Sequence, residues 1–452
     1  MIDLNNKPDR ELLAIEALIL IDQNINSERY AINKIANSYS IVDWRIRSAL
    51  HALVFETIRY KNTIDFIISS IMKKGDIKHI KNDFLKNTLR LGIYEIKFLN
   101  KAPKLVSNTL VEITKNTISL NASKFINAIL HESDKYDLEN ELNKFKGINY
   151  LSLKYSHPKW YIKYLKSYFP EDFVIRLLQK NNEHLPVTIR INESVSNKEE
   201  IISELETEGF QFKLYPRIPD MIEIQDSSKP VVQTKSYKND LIYIQSKASI
   251  VVSHVLNPQS GELIYDLTAA PGSKTMHIAQ LMGNRGKIIA FDRSFRRIKE
   301  IKDNLRNYNK NIINLINYDS KYLGETIQKK SDKAIVDPPC SGTGTFSRRP
   351  ISKWNEHNKN LKLITSIQWN LLENAIKVVK KGGFLVYSTC SITLEENEKL
   401  IKKLIKNYPN VKLVDQDPFV GCKGLLNLDK TQRFYPHLHD TEGFFIAKLQ
   451  IL

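Results

Sequence analysis

From about Asp9 to Glu132, apolar residues recur three and four positions apart, as in Leu85, Leu89, Ile93 and Ile96, while Gly and Pro are sparse. That period lays an apolar stripe along each helix and predicts an all-helical first third. Residues 133 to 155 turn charged and then polar, ending at Ser156-His157-Pro158-Lys159-Trp160. Proline disfavours helix at the residue before it, so a domain boundary is expected there. Leu185 to Gln225 reads as a strand from Pro186 to Ile191, an amphipathic helix from Lys198 to Glu208 and two further short strands, a small α+β unit that either helps grip a partner or simply bridges two domains.

From Ile242 onward strands and helices alternate, which predicts a parallel sheet covered by helices on both faces. The candidate strands are Leu263 to Asp266, Lys287 to Asp292, Ile312 to Tyr318, Lys333 to Val336, Phe384 to Ser388, Val411 to Val414 and Phe444 to Leu449. No internal repeat or low-complexity tract suggests another architecture. A chain of 452 residues exceeds one compact core, so the fold class is multidomain. It comprises an all-α domain over 1–140, a small α+β linker domain over 150–240 and an α/β Rossmann-like domain over 241–452.

Charge adds a partner class. Lys and Arg total 67 against 50 Asp and Glu, a net charge of +17 that points toward a polyanion. The first 150 residues are nearly balanced, so most of the excess lies beyond them. The opening MIDLNNKPDR lacks the basic and apolar regions of an export signal, and no apolar run approaches a membrane span. A cytoplasmic protein with no membrane association is expected. Three scattered cysteines, 340, 390 and 422, make neither a disulfide framework nor a zinc site.

The chemistry concentrates in AIVDPPCSGTGTF, Ala334 to Phe346. An apolar strand ends in Asp337, two prolines stop it, and Cys340 follows in a Ser/Gly/Thr loop. Open α/β sheets bind ligands at the carboxyl ends of their strands, which places Asp337 and Cys340 beside a bound molecule. The same strand, polar turn and cysteine recur at Tyr387-Ser388-Thr389-Cys390.

A second loop, Asp266-Leu267-Thr268-Ala269-Ala270-Pro271-Gly272-Ser273-Lys274-Thr275, joins the first of these strands to an apolar helix. Its small residues let backbone approach a ligand, and the first helical turn offers N–H groups. A nucleotide P-loop needs Lys directly after Gly, and a dinucleotide fingerprint needs more glycines. Neither matches. Asp292 ends the next strand, suited to two ribose hydroxyls, and Asp319 and Asp337 end the two after it. An adenosine-bearing cofactor without a pyrophosphate fits, and S-adenosyl-L-methionine is the natural choice.

Cytosine C5 is too weak a nucleophile to take a methyl group until a thiolate adds at C6. Attack by an exocyclic amine is the alternative, but there an aromatic usually follows Asp-Pro-Pro, and position 340 is Cys. Ring-carbon methylation is favoured.

Val54 to Tyr60, Leu89 to Glu95 and Phe125 to Leu130 resemble segments of NusB-like RNA-binding helical domains. Asp337-Pro338-Pro339-Cys340-Ser341-Gly342-Thr343-Gly344, Ser388-Thr389-Cys390-Ser391, Ala269-Ala270-Pro271-Gly272 and Thr441-Glu442-Gly443-Phe444-Phe445 resemble the motifs of RNA cytosine-5 methyltransferases of the NSUN superfamily, in its RsmB (Sun) branch, end to end. The resemblance implies a class I methyltransferase fold for the last domain. It implies Cys390 as nucleophile on C6, Cys340 as the group that resolves the adduct, and Asp337 as a contact to the cytosine ring that also lines the cofactor site. It further implies that Thr268, Ala269, Ala270, Pro271, Gly272, Ser273 and Lys274 hold the methionine end of the cofactor, Asp292 its ribose and Asp319 its adenine. Small-subunit ribosomal RNA is the expected partner. Transfer RNA, or a non-catalytic role in RNA binding or ribosome assembly, is the alternative.

Two departures stand out. Thr268 and Ser273 replace the family's Cys and second Gly in Cys-Ala-Ala-Pro-Gly-Gly-Lys, and Gln245-Ser246 replaces Gln-Asp. Arg348, Arg349, Lys353 and Trp354 combine charge with an aromatic and are expected to contact RNA. His437 and His439 lack further ligands nearby, so no metal is expected, and Cys422 reads as a bystander. A monomer is expected.

Overall fold

The computed structural model describes residues 9–452 except 24–26, 73–74, 306–309 and 356. Residues 1–8, which carry part of the expected absence of an export signal, lie outside the described residues. The chain forms two compact units, one of residues 1–183 with 346–355 and one of 184–345 with 356–452.

The first unit is helical, as its periodicity predicts. Leu89, Ile93 and Ile96 are buried on the helix Asp83–Lys97, with Leu85 packed at the edge of the same core. A Cβ on Gly92 of this helix would lie 2.6 Å from Leu130 Cδ2, so any larger residue there would have to displace the packed leucines. The buried Arg90 guanidinium bridges Asp22 and Asp65, at 2.7 Å each. Helices continue past the expected boundary through Gly147–Lys154, Lys159–Lys166 and Glu171–Lys180. Pro158 is the N-cap of Lys159–Lys166, so a new helix starts there. The neighbouring His157 is fully buried, and its N–H donates to Ser152 O at 3.1 Å.

The second unit holds two sheets. The smaller comprises β1 (Val187–Ile191), β2 (Gln211–Leu214), β3 (Met221–Asp226) and β4 (Ile242–Ile244), in the order β2-β3-β1-β4. The helix Lys198–Thr207 packs on it through Ile201 and Leu205. The larger sheet has β5 (Leu263–Asp266), β6 (Lys287–Asp292), β7 (Ile313–Asn317), β8 (Ser331–Val336), β9 (Val379–Thr389), β10 (Val411–Leu413), β11 (Cys422–Lys423), β12 (Gln432–Phe434) and β13 (Phe444–Ile451). Its order is β11-β12-β13-β9-β8-β5-β6-β7, with β10 on β13.

The sheet is mixed, which corrects the expectation of an all-parallel one. β5 through β9 pair in parallel, but β13 runs antiparallel to β9, β10 and β12. Only nine residues separate β12 from β13, too few for a parallel crossover of a dozen or more. β9 also starts earlier than expected, because Gly382 at φ +81° carries the strand through what reads as a turn.

Polar side chains tie the small sheet to the large one. Asp220 takes His254 Nε2 at 2.8 Å and His277 Nε2 at 2.7 Å. Burial and the Arg190 charge push His277 down to about 3, so it stays a neutral imidazole at physiological pH. His437 and His439 stand outside this cluster. Among the described residues no helix is long and apolar enough to cross a membrane.

Arg433 on β12 and Glu398, at the start of the helix Glu398–Asn407, form an ion pair with side chains 1% and 0% exposed. Removing one partner strands a buried charge. Arg433→Met is therefore expected to cost about 3–5 kcal/mol in urea unfolding, and Arg433→Met with Glu398→Leu should recover most of it.

Candidate active site

In the larger sheet β5 has β6 on one side and β8 on the other, so the order reverses there and a crevice opens at the strands' carboxyl ends. Both expected loops lie at this point. The cofactor loop leaves β5 at Asp266, and the first cysteine loop leaves β8 at Val336.

The cofactor loop is built from its own backbone. Asp266 is 2% exposed and accepts from Thr275 Oγ1 at 2.6 Å and Thr268 N–H at 3.2 Å; burial raises its pKa to about 6. Ala269 N–H donates to Phe291 O at 2.9 Å and Ala270 N–H to Asp292 Oδ2 at 3.3 Å, joining the loop to the end of β6. Pro271 follows, its carbonyl accepting from Asn304 Nδ2 at 3.0 Å. Gly272, at φ +98°, turns the chain into the helix Ser273–Leu281, which no side chain caps. Its first N–H groups therefore have no intrahelical partners, the kind of donor set that an α-carboxylate needs. Thr268 Oγ1 accepts from Asp337 N–H at 2.9 Å, linking this loop to the cysteine loop. Asp292 is 5% exposed at the strand end, its other oxygen accepting from Ser294 N–H at 2.9 Å. Asp319 caps the short turn after β7 through Lys321 N–H at 3.2 Å and stays half-buried. These residues fit an adenosine-bearing sulfonium cofactor.

The cysteines come together. Val336, the last residue of β8, registers with Tyr387 on the parallel β9, which runs on to Thr389. Cys340 and Cys390 follow with their Sγ atoms 2.8 Å apart, both half-buried. Asp337 lies beside them, accepting from Lys274 Nζ at 2.6 Å and Ser388 Oγ at 3.0 Å. Gly344 N–H donates to Cys390 O at 3.0 Å, and Gly443 N–H donates to Gly344 O at 2.9 Å.

The surroundings of Cys340 disfavour its thiolate. The hydrogen bond to Cys390 and burial, then the Cys390, Glu396 and Asp337 charges, hold the Cys340 pKa well above the ordinary range. It stays a neutral thiol. Burial works against the Lys274 ammonium, but Asp337 keeps it charged, and it lies within Coulombic reach of Cys390. A thiolate at 390 therefore has a cation nearby and a thiol donor in contact.

The expected RNA-contact loop divides. Lys353 is 0% exposed, and its Nζ donates to Arg59 O and Ser156 O, at 3.3 Å each, and to Asn182 Oδ1. Burial and Arg59 push its pKa well down. Trp354 Nε1 donates to Ile58 O at 2.9 Å, and its ring packs on the helical core. Lys353 serves the interior of the first unit, which corrects its assignment as an RNA contact, whereas Trp354 is half-buried. Arg349 is exposed and Arg348 half-buried.

Glu396, 0% exposed, went unnoticed in the sequence. Its carboxylate accepts from Ser341 N–H at 2.8 Å, Ser341 Oγ at 2.5 Å, Gln368 Nε2 at 3.0 Å, and Ser391 Oγ and Thr393 Oγ1 at 2.6 Å each. The available signal was a glutamate a few residues after a Ser/Thr-rich cysteine loop. Cys422 lies apart from the pair, 3.8 Å from His439 Nε2.

Comparison with known proteins gives three domain families. Residues 253–450 match the 16S rRNA methyltransferase RsmB/F model, 9–135 the NusB family and 157–231 the Methyltr_RsmF/B-like ferredoxin-like domain. The chain is 27% identical to a probable ribosomal RNA small subunit methyltransferase B of Bacillus subtilis, over 97% of this chain and 98% of that one. It is 39% identical to a tRNA (cytosine(72)-C(5))-methyltransferase of Pyrococcus horikoshii, over 48% of this chain and 54% of that one. A crystal structure of a methyltransferase homolog protein from Pyrococcus horikoshii matches with TM-score 0.60 and 32% identity, over 67% of this chain and 98% of that one.

Proposed function

For a chain that belongs to the RsmB/F family of S-adenosyl-L-methionine-dependent RNA cytosine-C5 methyltransferases, we propose that the substrate is a cytidine of small-subunit, 16S-type ribosomal RNA. The observation that carries the chemistry is the thiol pair, 2.8 Å apart where β8 and β9 end, beside the Lys274–Asp337 pair.

Cys390 Sγ bonds to C6 of the flipped cytosine, which makes C5 nucleophilic. Asp337 contacts the ring at the cofactor's edge. The bound cofactor supplies an electrophilic methyl group. A base then removes the C5 proton, and the Cys390–C6 bond breaks as the 5,6 double bond re-forms. Cys340, a neutral thiol touching Cys390, assists that departure by giving its hydrogen bond to the leaving sulfur. Thr268 through Lys274, Asp292 and Asp319 hold the cofactor, and Arg348 and Arg349 reach RNA phosphate.

The ribosomal target rests on the likeness that runs the length of the chain, NusB-type region included. The tRNA-modifying relative matches only about half of it. A non-catalytic assembly factor would have no use for both thiols. Three domains, at 1–140, 150–240 and 241–452, working as a monomer in the cytoplasm complete the proposal.

Incubation with labelled S-adenosyl-L-methionine and unmodified RNA should place 5-methylcytidine in 16S rRNA alone. Label in tRNA alone would move the assignment there. No label in either, with cofactor bound, would make the protein a binding factor.

A further inference from the structure

Both residues that directly follow the cysteines, Ser341 and Ser391, bond to one carboxylate. A fully buried carboxylate is costly unless its lone pairs are filled, and Glu396 fills them with five neutral donors rather than a cation. Three hydroxyls converge on Oε2 at 2.5–2.6 Å, the short contacts of charge-assisted bonds. Gln368, from the helix His357–Val378, donates to Oε1 and also to Pro339 O at 2.9 Å, bracing the residue before Cys340. The backbone beside Glu396 is held as well: Tyr387 OH donates to Glu396 O at 2.8 Å, and Asn397 Nδ2 to Ser391 O at 2.8 Å.

We propose that Glu396 is the positioning residue of the thiol pair, a buried anion that fastens the Cys340 loop to the Cys390 loop and so sets where the two sulfurs stand. This rests on the reading of those cysteines as the reacting groups. Thr343 Oγ1 also stands against both serines, 3.2 Å from Ser341 Oγ and 2.9 Å from Ser391 Oγ, and Glu396 is the carboxylate that the two hydroxyls share. Its charge also faces Cys340 and disfavours a second thiolate there. One group thereby fixes both the geometry and the protonation of the release thiol.

Glu396→Gln tests it, because an amide fills the same space but cannot accept three hydroxyls on one oxygen and carries no charge. The variant should keep native circular dichroism and wild-type affinity for RNA and S-adenosyl-L-methionine, with kcat lower by about 10–100-fold, the loss that a misplacement near 1 Å brings. The alkaline limb of kcat should move to lower pH, since Cys340 loses a facing anion, and Glu396→Asp should restore that limb. RNA containing 5-fluorocytidine, which has no C5 proton to lose, reads Cys390 addition apart from release.

Wild-type kcat and pH limb in Glu396→Gln would overturn the proposal. So would cofactor affinity and thermal stability falling in step with kcat, which is the signature of a merely structural role. Should Glu396→Gln not fold, the Ser341→Ala, Ser391→Ala double variant is read in the same assays, and unchanged kcat there overturns it equally. An inactive wild-type protein would instead strike at the reading of the cysteines.

Discussion

Cys390→Ala is expected to lower 5-methylcytidine formation by on the order of 10⁴-fold or more, because without sulfur addition at C6 the ring offers no carbon nucleophile. Cofactor binding should be unchanged, since the loop from Thr268 to Lys274 is held by Asp266, Phe291 and Asp292 rather than by the thiol. Cys340→Ala should behave differently. Addition and methyl transfer can proceed, but the thiol that touches the departing sulfur is gone, so a protein–RNA adduct stable to denaturing gel electrophoresis should accumulate. The proposed roles run in that direction because burial and its neighbours disfavour a thiolate at Cys340, while the Lys274 ammonium lies within Coulombic reach of Cys390. A stable adduct with Cys390→Ala and none with Cys340→Ala would reverse the assignment.

Gly344→Ala is the second large effect. A Cβ there would stand 1.9 Å from Gly443 O, 2.5 Å from its carbonyl carbon and 2.8 Å from its Cα, all of it backbone that no rotamer can clear. The loop after Cys340 and the loop before β13 would have to part by at least about 1 Å. That breaks the bonds from Gly443 N–H to Gly344 O and from Gly344 N–H to Cys390 O. Overpacking of this kind costs about 1–3 kcal/mol, and the displaced thiol loop should lower kcat by about 100-fold. Denaturant unfolding and single-turnover methylation read the two separately. A variant with wild-type values in both would show that the loops are not held as the distances imply.

How much of this could be read from residues alone varies with the kind of interaction. The strands Leu263–Asp266 and Lys287–Asp292 end where their apolar runs end, and Asp337 and Cys340 follow β8 as expected. β12 was missed because three residues, of which only Phe434 is apolar and one is a buried arginine, show no alternation. The direction of β13 was missed because periodicity says which face of a strand is buried and nothing about which way it runs.

Sequence alone determined most of the elements and the helical first third, and it singled out the two thiols, because hydrophobic period, turn residues and side-chain reactivity are local properties. Tertiary structure alone decided that the two sulfurs touch across 50 residues of chain. It decided too that Glu396 joins their loops and that Lys353, charged and flanked like a phosphate contact, is an interior donor. A charge in solvent and a charge in a core look identical in a one-dimensional string. Only the surrounding oxygens, brought from distant segments by packing, separate them.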